Sequence, residues 1–176
     1  MPDQDSRGSG SSHRDRLPQE IDLSEVQNAS VRKGLSLWTA KKGERKMAAR
    51  DDLAPRDMAD FLRNIVLVRV LDGGREFEFR IVGDAMVVIQ GASFQGMNTG
   101  EIEQALPGYG SMLRSVYKCL CLRRAPMAFR GNSTGSPTGK PFFHESLLLP
   151  LGADGETVDH ILVIGVYSFG EGGKEA

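Results

Sequence analysis

The run Ile161-Leu162-Val163-Ile164-Gly165-Val166 is apolar at both odd and even positions, so a strand built from it has no face that water can solvate. A strand of this kind belongs at the centre of a sheet covered on both sides. Ile65-Val66-Leu67-Val68-Arg69-Val70-Leu71 is β-branched and apolar, and Glu76-Phe77-Glu78-Phe79-Arg80-Ile81 alternates charged with apolar residues. Asp72-Gly73-Gly74-Arg75 between them supplies hairpin turn chemistry. With a side-chain period of two, Phe77, Phe79 and Ile81 share one face, and Glu76, Glu78 and Arg80 the other. Met127 to Arg130 and Phe142 to Leu149 read as two more strands ahead of the last, Val158 to Phe169. The final two are joined through Gly152-Ala153-Asp154-Gly155-Glu156.

Helical spacing occupies the rest. Ser24 and Gln27 have capping-box spacing, and Val31, Leu35 and Trp38 follow on one helical face, predicting a helix through Ala40. Lys41, Lys42, Arg45 and Lys46 at its exit suit the negative end of the helix dipole, with an anion-binding patch as the minority reading. Pro55 to Phe61 predicts a second short helix. Glycines punctuate residues 83–106 into short helices and loops, with a capping box at Asn98 and Glu101. A longer helix carries Tyr109, Met112, Leu113, Val116, Tyr117 and Leu120 and ends before Pro126. Two strands, then helices, then three strands predict an α+β fold with a mostly antiparallel five-stranded sheet.

Residues 1–20 and 170–176 are polar and glycine-rich and are expected to be disordered tails. Between them lie an N-terminal helical segment, 21–62, and the main domain, 63–169. Lysine plus arginine number 22 against 23 acidic residues, so net charge gives no reason to expect nucleic acid. Cys119 and Cys121, one residue apart on a helix, diverge too far for a disulfide, which fits a reducing compartment. With no long apolar run and no leader pattern, the chain is expected to be cytoplasmic and free of the membrane.

Gly131 to Lys140 suggests a phosphate loop, but Gly135 to Gly139 is one residue too short and Pro141 stands where Ser or Thr is needed. A strand-connecting loop is the better reading. His13, His144 and His160 have no partners at metal-ligand spacing, so no metal site is expected. An enzyme reading would recruit His144-Glu145 and Asp159-His160, yet neighbours on a strand point to opposite faces. No catalytic residues are therefore assigned.

Local stretches occur in a telling order: Leu37-Trp38, then Gly43, Arg45 and Arg50-Asp51-Asp52-Leu53-Ala54-Pro55, then Phe79-Arg80-Ile81-Val82-Gly83, Gly91 with Gly96, and Leu149-Pro150-Leu151 before Asp154-Gly155. Together with the element order, this resembles a family of single-domain PAS proteins of alphaproteobacteria. The resemblance implies a PAS-like fold with helices on one side of the sheet and an extra N-terminal helix. It also implies a sensory or docking role, and no particular ligand; no cofactor is required by the sequence. Met47-Ala48-Ala49 precedes Arg50 where that family often places a proline.

The candidate pocket comprises Phe79, Ile81, Met86, Phe94, Met112, Val116, Met127 and Phe129, suited to a small apolar or aromatic ligand; the same residues would equally make a filled core. The short-helix region holds no cysteine for flavin photochemistry. Val31, Leu35 and Trp38 are the candidate interface for a homodimer or a signalling-protein partner. The expected role is thus a non-catalytic regulatory module acting by protein contact, with a ligand-binding sensor and an enzyme using His144 and His160 as alternatives.

Overall fold

In the computed structural model, described for residues 18–133 and 142–169, six strands make one sheet. They are β1 (Gln19–Ile21), β2 (Ile65–Leu71), β3 (Glu76–Val82), β4 (Met127–Ser133), β5 (Phe142–Leu151) and β6 (His160–Phe169). Their order is β1-β4-β5-β6-β2-β3, with every neighbouring pair antiparallel. The ends of the chain, His13 and most of the glycine-rich 131–140 run lie outside the described residues.

The expected count of five strands rises to six because Gln19–Ile21 pairs with Ala128, Phe129 and Arg130 on the outer edge of β4. Three residues are too few to show a period, and Gln19 and Glu20 lie in sequence read as tail. As its composition requires, β6 is interior, with Ile161, Leu162, Val163 and Ile164 all buried. Four helices supply its two covers: α1 (Ala29–Lys42), α2 (Asp84–Gln90), α3 (Thr99–Ala105) and α4 (Tyr109–Arg123).

Helix α1 starts later than Ser24. Asn28 is its cap, accepting from the amides of Ser30 and Val31, while Asp22 and Glu25 form a separate capping box around the 3₁₀ turn Leu23–Glu25. Its Gly34 faces Ile164 of β6, and the Trp38 indole N–H donates to the Pro150 carbonyl at 2.8 Å. Val31 and Trp38 are 0% and 4% exposed, and Leu35 is half-buried against the same core. The residues expected at an interface are therefore packed within the subunit. The apolar outer face of β6 needs a cover, and α1 with Phe61 of the 3₁₀ helix Pro55–Asn64 provides it.

Gly34 shows how close that cover lies: a Cβ there would sit 1.9 Å from Ile164 Cδ1. Gly→Ala inside a helix ordinarily stabilises by about 1 kcal/mol. Here overpacking reverses the sign, and Gly34→Ala is expected to lose about 1–2 kcal/mol in chemical denaturation. Adding Ile164→Val, which deletes the obstructing methyl, is expected to recover most of the loss beyond its own cost. Strictly additive losses would show that the two residues do not meet.

The β2–β3 pairing corrects a second expectation. Leu67 faces Ile81 while Val68 faces Phe79, so Arg80 is an extra residue in the ladder. This bulge interrupts the alternation. Phe77 and Phe79 remain buried, but Ile81 turns away and is 41% exposed. The free edge of β3 is partly covered, since the Phe79 amide donates to Met97 O at 2.9 Å and the Gly96 amide to Phe79 O at 2.7 Å.

Candidate functional site

Register determines which side chains share the inner face of the sheet. Tyr167 lies opposite His144, Gly165 opposite Ser146, and Ser146 opposite Phe129; Val163, Leu148 and Met127 form the next row. The tyrosine lies back over its own strand: a Cβ on Gly165 would come 2.5 Å from the Tyr167 hydroxyl, so residue 165 must be glycine for the ring to rest there. Its ring stacks on His144 with centroids 6.0 Å apart.

Helix α4 and Phe94, between α2 and α3, close over this face through aromatic contacts. Tyr117 packs on Phe77 at 5.3 Å and on Phe79 at 6.3 Å, and Phe94 bridges Phe79 at 6.4 Å and Tyr109 at 6.2 Å. The layer is fastened at its rim by Glu76 of β3, which accepts from the Thr99 hydroxyl and, at 2.9 Å, from Arg114. The Asn98–Glu101 capping box forms as the spacing predicts.

Enclosed among these rings is a set of polar groups. Gln90, 8% exposed, donates through Nε2 to the Tyr109 hydroxyl at 2.7 Å, while its Oε1 is buried without a hydrogen-bond partner among the described residues. Burial pushes the phenols of Tyr109, Tyr117 and Tyr167 above the ordinary tyrosine range. Burial also lowers His144, which favours its neutral form at pH 7. The cluster is therefore uncharged. It is equipped to exchange hydrogen bonds with a neutral molecule, and the unmatched Gln90 oxygen calls for a donor.

The predicted pocket residues divide. Phe79, Met86, Phe94 and Met127 are buried in the core surrounding this cluster, Val116 and Phe129 pack against it half-buried, Met112 is half-buried on α4, and Ile81 lies off the inner face. Gln90, Ser146 and Tyr167 went unrecognised at the sequence level, and Tyr109 and Tyr117 were read there only as part of the periodic face of the long helix. The glycine two residues before Tyr167 on an otherwise bulky strand was the available signal.

The grouping that an enzyme reading would have to recruit does not assemble. His144 faces inward, whereas Glu145 is on the outer face, accepting from the amides of Gln27 and Asn28 and from Arg130. His160 bonds Asp159 at 2.7 Å and lies seven residues from Tyr167, the residue opposite His144. That separation is about 23 Å along the strand. Among the described residues no three His, Cys, Asp or Glu side chains converge to hold a metal. The cations leaving α1 are also engaged: Lys41 pairs with Asp57, Arg45 with Asp52 and Lys46 with Glu156, while Lys42 donates to backbone carbonyls.

Next to the cluster, a groove of about 340 Å³ opens to the surface, lined by Arg63, Asn64, Ala85, Val88, Ile89, Tyr167 and Phe169. Tyr167 thus touches both the groove and the interior. No helix among the described residues is long and apolar enough to cross a membrane.

No curated protein matches the chain. One similar solved chain is described as the crystal structure of a sensory box sensor histidine kinase from Vibrio cholerae, with 13% identity and a TM-score of 0.43 over 64% of this chain and 87% of that one. The PAS domain family, by contrast, matches from Val26, just ahead of α1, to Ser168 near the end of β6. A match across residues 26–168, taking in both covers and five of the six strands, means that the chain belongs to the PAS domain family.

Proposed function

We propose that the chain is a non-catalytic PAS sensory or regulatory module that takes up a small neutral molecule between the sheet and α2–α4 and passes its output through protein contacts. The observation that carries this reading is the buried, unmatched Gln90 oxygen beside Tyr109. A polar group enclosed by aromatic rings is the orienting element expected of a small-molecule site. The fitting ligand has an apolar or aromatic body and at least one hydrogen-bond donor. The distance between His144 and His160 supports the absence of catalysis by that pair.

Phenol and toluene, similar in shape and differing in one hydroxyl, test the reading by thermal shift. At ten times its dissociation constant phenol adds about 1.4 kcal/mol, or about 4 °C for a domain of this size. Toluene at equal concentration is expected to shift the wild type by less than half as much. Gln90→Leu removes the acceptor and is expected to erase the preference. Equal shifts from both probes in the wild type would reject the assignment.

A further inference from the structure

We propose that Gln90 and Tyr109 together select a cis amide, the adjoining N–H and C=O of a lactam or imide ring, as the polar edge of the ligand, an inference that rests on the reading above that a small neutral molecule is taken up there. Two unmatched groups stand next to each other. Gln90 Oε1 is buried without a hydrogen-bond partner among the described residues and needs a donor. The Tyr109 hydroxyl accepts from Gln90 Nε2 at 2.7 Å, and its own hydrogen has no acceptor among the described residues. Burial raises this phenol above its ordinary range, so the hydroxyl keeps its hydrogen at neutral pH. One acceptor and one donor, separated only by the amide nitrogen, therefore remain to be matched. A ligand carbonyl takes the phenolic hydrogen while the adjoining N–H meets Gln90 Oε1. Turning the glutamine amide over exchanges the roles, with Nε2 left to donate and the phenolic oxygen to accept. The ligand must still present a donor beside an acceptor.

The surroundings narrow the chemistry further. A carboxylic acid also sets a donor beside an acceptor, but it is ionised at pH 7, and a buried carboxylate needs a cation. Burial and neighbouring phenols, not a charged side chain, raise Tyr109, Tyr117 and Tyr167, and Arg114 at the rim is paired with Glu76. An open-chain secondary amide is trans, with its N–H and C=O on opposite sides. A primary amide brings a second N–H that the two open groups leave unmatched. A ring amide holds one N–H and one C=O on the same side. Phe94, which packs on Tyr109 at 6.2 Å and on Phe79 at 6.4 Å, gives the site an aromatic wall suited to a flat, unsaturated ring.

Nuclear magnetic resonance titration of the full chain with 2-pyridone, 4-pyridone and pyrrole tests the assignment. The first carries N–H and C=O side by side, the second carries the same groups on opposite sides of the same ring, and the third has the N–H alone. The wild type is expected to bind 2-pyridone about tenfold more tightly than 4-pyridone, the difference of one buried hydrogen bond. Tyr109→Phe keeps the ring and deletes the hydroxyl; it is expected to weaken 2-pyridone by about tenfold and pyrrole by less than about twofold. A thermal melt checks that the variant folds, and the comparison of the two pyridones needs no variant. Equal affinity for the two pyridones, no saturable binding of 2-pyridone, or equal losses of 2-pyridone and pyrrole in Tyr109→Phe would each overturn the assignment. If phenol is preferred to toluene while 2-pyridone is not preferred to 4-pyridone, the cis amide alone is rejected and the site remains. If neither preference is found, the site itself is rejected.

Discussion

Trp38→Ala is expected to cost about 3–5 kcal/mol of folding stability while leaving the oligomeric mass of the protein unchanged. The indole is 4% exposed, and its N–H satisfies the Pro150 carbonyl next to Leu149 and Leu151, both fully buried. Truncation would leave a cavity between α1 and β5 and remove the partner of a buried carbonyl. The oligomeric readout matters because the stripe Val31, Leu35, Trp38 equally suits a helix docked on a second copy. In that arrangement the substitution would halve the mass and barely move the denaturation midpoint. Guanidinium denaturation and light scattering on the same sample separate the two, and the packing of α1 predicts a midpoint shift with no mass change.

Glu145→Gln is expected to lose about 3 kcal/mol near neutral pH. The carboxylate is 2% exposed and accepts from the Asn28 amide at 2.7 Å, the Gln27 amide at 3.0 Å and Arg130 at 2.7 and 3.0 Å. Arg130 also donates to the Glu25 carbonyl, so one ion pair fastens the entry of α1 to β4 and β5. Glutamine keeps the shape, but it removes the charge and turns an amide group toward other donors.

Burial alone would raise this carboxyl, yet the hydrogen bonds from Asn28, Arg130 and Gln27 outweigh it and hold the group below the usual 4.5. A group whose folded pKa is depressed contributes stability above its unfolded value and loses that stability as pH falls through the folded one. The gap between wild type and variant should therefore be full at pH 7 and shrink below about pH 4.5. Urea denaturation across that range checks it. A gap of constant size down to acid would show that Glu145 contributes packing alone.

Most signals carried within one segment survive the step from sequence to structure. The alternation of β3 as far as Phe79, the doubly apolar β6, the Asn98–Glu101 box and the spacing of α4 each depend on a few neighbouring residues, and each forms, whereas the Ser24–Gln27 spacing gives way to caps at Asp22 and Asn28. Features decided between segments do not show. Gln19–Ile21 becomes a strand only because β4 offers it an edge. Ile81 leaves the inner face because β2 and β3 settle on a bulged register at Arg80. The apolar stripe of α1 is visible, but the surface it meets is not, and β6 claims it.

The interior cluster was hidden for the same reason. Gln90, Tyr109 and Tyr167 come from three separate elements, and the antiparallel register of β5 and β6 sets Tyr167 opposite His144. Reading the pocket as apolar picked out Phe79, Phe94 and Met86, the residues that enclose the site. The polar groups were passed over because a single glutamine on a helix is ordinary surface composition, and Tyr109 and Tyr117 fitted the apolar stripe of α4 without their hydroxyls being considered.

The central claim is that a small donor-bearing molecule is received at Gln90, beneath α2. The most direct measurement is a nuclear magnetic resonance titration of the wild type with phenol, following the Gln90 side-chain amide and the Tyr109 and Tyr167 rings. The account predicts saturable shifts at these groups and nuclear Overhauser contacts from phenol to both tyrosine rings, absent in Gln90→Leu. Shifts that never saturate, or that gather on the surface and persist in Gln90→Leu, would contradict it.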